Sequence, residues 1–304
     1  AGEPLKGITA SYMNSFLTTA MEWNTDFLEA VYDESTPLPV SLEQKDLKIQ
    51  YSTQTPYRSY ALYNVFLMQN TVTDVFETFK KVANQAMQKC QKHYFAICEK
   101  VGTVPLGEIN VLSYEELYEY SLNKLGATKI AVIVDSVLSN GALDDRKKSI
   151  AIADQLMIHS HELAPATVLM FAPPYYPAVS SKENPVVQQI VTLLLDQAKK
   201  YEIPLKEKHY FNGICDLSYC QKVSQAGWQA YEKNTPVWNK TYSIPFEEMA
   251  EISAPVLNVG PFGKDAHQIS ERLHKKSAFE EMPELLTEIM VWINQRSLAS
   301  EGLS

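Results

Sequence analysis

The chain has 304 residues, 45% hydrophobic and 21% charged, the composition of an ordinary soluble globular protein of about two domains. Its formal charge of −9 argues against a broad nucleic-acid footprint, which needs clustered Lys and Arg to displace counterions. No run of about 18 apolar residues marks a membrane span, and the start lacks the basic and apolar regions of a signal peptide. The four cysteines, Cys90, Cys98, Cys215 and Cys220, lack the C-x-x-C spacing of a cysteine zinc site. Such low usage points to a reducing compartment, hence the cytoplasm. Ala1-Gly2-Glu3-Pro4 reads like the interior of a longer sequence.

In chain order, Met13, Phe16, Leu17 and Ala20 predict a helix over Thr9–Trp23, followed by a loop broken by Pro37 and Pro39. Leu47, Ile49 and Tyr51 alternate with polar residues as in a half-buried strand, and Tyr60–Leu67 reads as a second. Thr71 and Asp74 give a helix start signal, with Val72, Val75, Phe76, Phe79, Val82 and Ala83 facing inward. His93–Cys98 is expected to return as a strand. Helix, strand, strand, helix, strand is a split βαβ module without its first strand.

From Pro105 the pattern changes. Tyr114–Leu125 and Asp145–His159 read as helices, and Lys129–Val137 fits either helix or strand. Thr167–Ala172 is an apolar run expected of a strand buried on both faces, stopped by Pro173-Pro174. Asn184-Pro185 caps a helix carrying Val187, Ile190 and Leu194. Val256–Val259 is a further buried-strand candidate, and Pro283 is expected to open a last amphipathic helix. Strands alternating with helices predict a layered α/β domain.

Nucleophile-elbow, P-loop, H-E-x-x-H and G-x-G-x-x-G motifs are absent. Two loops after predicted strands carry the remaining chemistry, since ligands of open α/β sheets gather there. In Phe211–Ser218, Asn212-Gly213 makes a tight turn that brings backbone N–H groups near a ligand. A plain turn with Asp216 capping the next helix is the alternative. In Gly260–Arg272, His267 is placed to ligate a metal, and Glu271 four residues later to orient it. An exposed histidine beside a surface Glu–Arg pair is the alternative there, because zinc needs at least three protein ligands. The other histidines (His93, His159, His161, His209, His274) form no ligand pattern.

The segments SAPVLNVGPFGKDAHQISERLHKKSAFEEMPELL, APPYYP at Ala172–Pro177, NGICDLSY at Asn212–Tyr219 and QKDLKIQYSTQTPYRSYALYN at Gln44–Asn64 carry a resemblance. They resemble an arginine-utilization member of the zinc exopeptidase and amidohydrolase family that includes aminoacylase, carboxypeptidase G and succinyl-diaminopimelate desuccinylase. The resemblance implies a partial catalytic α/β domain of the zinc exopeptidase type over residues 105–304. It also implies a ferredoxin-like α+β lid over residues 1–104, its first strand upstream, through which a homodimer would form. His267 corresponds to the last zinc-binding histidine and Glu271 to the carboxylate behind it. Asn212, Gly213, Cys215 and Asp216 resemble a substrate-side loop in which Cys215 replaces a small hydroxyl residue, and Gly263 belongs with them. The resemblance implies two zinc ions and hydrolysis of an amide or peptide bond in a small amino-acid-derived substrate. The general base and remaining zinc ligands would then precede Ala1, so that these 304 residues alone are expected to be inactive. A binding or dimerisation protein that has lost the metal centre, and a cysteine enzyme using Cys215, are the alternatives.

Overall fold

A computed structural model describes residues 3–48, 53–224 and 227–301. It is a mixed helix and strand protein of two compact units, Ala1–Pro177 with Ser224–Pro245, and Ala178–Val223 with Phe246–Ser304. Among the described residues no helix is long and apolar enough to cross a membrane.

The first unit opens with helix α1 (Ala10–Met21), which buries Met13, Leu17 and Met21 at four-residue intervals. A short hairpin, β1 (Ala30–Val31) and β2 (Glu34–Ser35), precedes a longer antiparallel one, β3 (Val40–Asp46) and β4 (Ser59–Asn64). The first strand of this hairpin lies earlier than the alternation at Leu47–Tyr51 suggests, and residues 49–52 lie outside the described residues.

Helix α2 (Val72–Val101) begins with a capping box. Thr71 Oγ1 accepts from the Asp74 N–H at 3.2 Å, and the Asp74 carboxylate accepts from the Thr71 N–H at 2.9 Å. It ends at Gly102, whose φ of 71° needs glycine. The strand expected over His93–Cys98 is the last part of this helix. Cys90, Tyr94 and Cys98 recur every four residues and are buried, so the helical period of the inward face outweighs the strand preference of Tyr94, Phe95 and Ile97. The module therefore lacks its fifth element and reads helix, strand, strand, helix.

Just ahead of α2, the buried carboxylate of Glu29 accepts three backbone N–H groups in a row, from Met68 at 3.0 Å, Gln69 at 2.8 Å and Asn70 at 2.9 Å. Its negative charge also lies beside the positive end of the α2 dipole.

Strand β5 (Asn110–Ser113) runs parallel to β6 (Ala166–Leu169), and three helices make the crossover between them: α3 (Tyr114–Leu125), α4 (Ala127–Leu138) and α5 (Asp145–His159). The open segment Lys129–Val137 is helical, with Ile130, Ile133, Val134 and Val137 buried at helical spacing. Ser113 and Glu116 cap α3 as a second capping box. The chain next forms α6 (Pro185–Lys200) in the second unit and returns to the first with α7 (Trp228–Lys233).

In the second unit Asn184 Oδ1 accepts from the N–H groups of Val186 at 3.0 Å and Val187 at 3.2 Å, fixing the start of α6 as its sequence predicts. After α8 (Phe246–Ile252) comes Val256–Val259, which pairs as no strand. Leu257 and Val259 do pack against the core of Ile190, Leu194, Leu285 and Ile289. Asn258 between them is exposed, and without ladder partners among the described residues no strand forms. A hairpin of β7 (Gly263–Lys264) and β8 (Arg272–Leu273) leads to α9 (Met282–Glu301). Pro283 is the second residue of this last helix, in its first turn as its sequence predicts. A wide π-type turn over Ser277–Glu281 runs directly into α9 just before this residue, which has no N–H to donate.

Candidate functional site

Both sequence-marked loops belong to the second unit. In the first, Gly213 lies against the exposed Phe211 ring, which a Cβ would approach to 2.8 Å and push aside. Asp216 is exposed and begins a short 3-10 turn, Asp216–Cys220. Cys215 stands at the cap position without a side-chain cap bond, and its carbonyl accepts the Ser218 N–H at 3.0 Å. The capping role considered for Asp216 is therefore not the one it has.

The second loop is the tip of the β7–β8 hairpin. Phe262 N–H donates to Ser277 Oγ at 2.9 Å and its carbonyl accepts from His274 N–H at 2.9 Å, which ties the hairpin root to the turn before α9. Inside the tip, Asp265 accepts from Ser270 Oγ at 2.9 Å and forms an ion pair with Arg272. Asp265 and His267 both hold left-handed backbone, at φ 56° and 64°. His267 and Glu271 are exposed, while the Glu271 N–H donates to the Gln268 carbonyl at 3.0 Å. At Gly263 a Cβ would meet the Arg272 carbonyl at 3.2 Å.

The two loops approach where Asn258 Nδ2 donates to Cys215 Sγ at 3.3 Å. Asn258 leads directly into the hairpin, so the Phe211–Ser218 and histidine-bearing segments are neighbours at this point. His274 is committed to structure, its Nδ1 accepting the Ser277 N–H at 3.2 Å. Among the described residues no three His, Cys, Asp or Glu side chains converge as a metal site. With His267 as one donor, these residues fall short of the three that zinc requires.

A polar cluster in the first unit escaped the spacing argument. Arg58 pairs with Asp154 at 2.5 Å, and Lys147 bonds Glu43 at 2.5 Å and Tyr60 Oη at 2.7 Å. Burial raises the Asp154 carboxyl above the usual aspartate range, with Arg58 opposing that rise. The bond to Lys147, and next that to Tyr60, lowers Glu43. Partners 96 and 104 residues apart leave no local signal.

A mixed α/β chain with two adjoining polar loops in its second unit is thus the class of protein in view. It is similar to "Uncharacterized protein YqjN" of Bacillus subtilis (strain 168), 36% identical over 294 residues that make up 94% of this chain and 53% of the relative. It is also similar to "Protein RocB" of the same organism, 25% identical over 307 residues, 97% of this chain and 54% of the relative. The chain spans about half the length of these curated relatives. No family model matches it, and no solved structure does.

Proposed function

We propose that this chain forms part of a RocB-like hydrolase that cleaves an amide or peptide bond in a small amino-acid-derived substrate of arginine utilization. The observation that carries this reading is similarity to RocB along 97% of the chain. In this reading the Asn212–Asp216 loop lies at the substrate. His267 offers a neutral imidazole to zinc. Among the described residues no zinc site is complete, and in this reading the other donors and the general base are supplied from outside them. Residues 1–104 act as lid and dimer contact. The shortfall of donors favours, as a second reading, a binding or dimerisation role for a chain that acts without metal.

The test is hydrolysis of a panel of N-acyl amino acids and dipeptides by the polypeptide purified from its own cells, with and without chelator. Activity abolished by chelation, restored by zinc and lost in His267→Ala supports the hydrolase. Absence of hydrolysis across the panel, with no bound zinc, removes it in favour of the second reading.

A further inference from the structure

Helix α9 carries two apolar stripes and uses one. Met282, Leu285, Ile289 and Trp292 turn toward α6 and form the core of the second unit. Leu286, Met290 and Ile293 recur at four and three residues on the adjoining arc and lie in water, Met290 with 71% of its surface exposed. Ile269, at the tip of the hairpin whose root is tied to Ser277, is also fully exposed. Scattered exposed apolar side chains are normal, but a helical stripe beside a buried one is not the pattern of a solvent face, which is polar. An apolar arc this wide belongs to a helix covered from two sides.

The lengths of the relatives bear on what would cover it. Both relatives continue for nearly half their length outside the match. We propose that the Leu286–Met290–Ile293 stripe of α9 is a seam against a second folded layer, supplied by polypeptide of the kind that fills the unmatched half of those relatives. This rests on the same similarity as the proposed function, but not on the chemistry assigned there.

Methionine oxidation reads the seam directly, because a covered thioether reacts slowly with dilute peroxide. Met249 and Met282, buried in the same unit, serve as slow internal standards. In the 304-residue chain alone Met290 should oxidise at the rate of a free methionyl peptide, and the two standards at least tenfold more slowly. In the polypeptide isolated from its own cells Met290 should join the slow class. Continued fast oxidation there overturns the proposal, whatever the length of that polypeptide. Slow oxidation already in the dilute 304-residue chain overturns it too, since this chain then covers its own face. Protection that appears only as the 304-residue chain is concentrated makes a second copy the occupant, and equally overturns it. As an independent arm, Met290→Lys with Ile293→Lys should leave the melting of the 304-residue chain unchanged and lower that of the native polypeptide. Equal melting of native and substituted polypeptide counts against the seam. Failure of amide hydrolysis would remove the chemical reading and leave these outcomes standing.

Discussion

Replacing Glu29 by Gln should destabilise the first unit by about 2–4 kcal/mol. The wild-type carboxylate accepts from Met68 through Oε1 and from Gln69 and Asn70 through Oε2. A hydrogen bond to a charged group contributes about 1.5–3 kcal/mol, and an orphaned buried donor costs about 1–3 kcal/mol. Glutamine keeps one acceptor oxygen and turns an NH2 toward the remaining N–H groups, so one or two of the three bonds are lost along with the charge. It also withdraws a negative charge from the start of α2. For a unit of this size the loss corresponds to a fall in Tm of roughly 5–15 °C. Urea and thermal unfolding followed by circular dichroism would measure it, with Glu29→Ala expected to cost more because all three donors are then orphaned. A change below about 0.5 kcal/mol in Glu29→Gln, the size of an ordinary surface substitution, would refute the reasoning.

Other outcomes follow from the same structure. Iodoacetamide at mildly alkaline pH should modify Cys215 and Cys220, which are half-buried, and spare Cys98 and Cys90, both buried, the latter with its thiol pushed up to about 11 by burial. Peptide mass spectra showing all four equally labelled would contradict the packing of α2. Asn184→Ala should cost about 1 kcal/mol through loss of the α6 cap, read from the urea midpoint. The raised Asp154 carboxyl holds its proton to higher pH in the native chain than in the unfolded one. Its contribution to stability is therefore largest below the ordinary aspartate range and declines as pH rises through the raised value. Asp154→Asn should flatten that decline, and urea midpoints taken across mildly acidic pH would show a slope unchanged if the assignment is wrong.

The helices most legible in the sequence were those with local signals. Asn184-Pro185 located α6 because a cap acts within three residues, and the matches at Tyr114–Leu125 and Asp145–His159 have the same origin. Segments whose state depends on distant partners were less legible. His93–Cys98 has strand-forming residues, yet Cys90, Tyr94 and Cys98 continue the inward face of α2, and burial against other elements decided the outcome. Val256–Val259 has the apolar content of a buried strand but joins no ladder among the described residues. The two candidate loops were found from glycines and polar residues, whose turn chemistry is local. That Cys215 meets Asn258 was not legible, since 43 residues separate them. Arg58 and Asp154 illustrate the same limit in the first unit.

If His267 has the role proposed above, the left-handed backbone at Asp265 and His267 makes the hairpin tip a place where stability and chemistry pull in opposite directions. A side chain in that conformation costs about 1 kcal/mol relative to glycine. Random libraries of this chain sorted for heat resistance should accordingly enrich glycine at position 267. Asp265 should resist the same exchange, because its carboxylate holds Ser270 and Arg272 across the turn. Libraries sorted instead for the proposed hydrolysis should deplete glycine at position 267 and keep the imidazole. The two sorts diverging at this one residue would mark a histidine retained at the expense of fold stability.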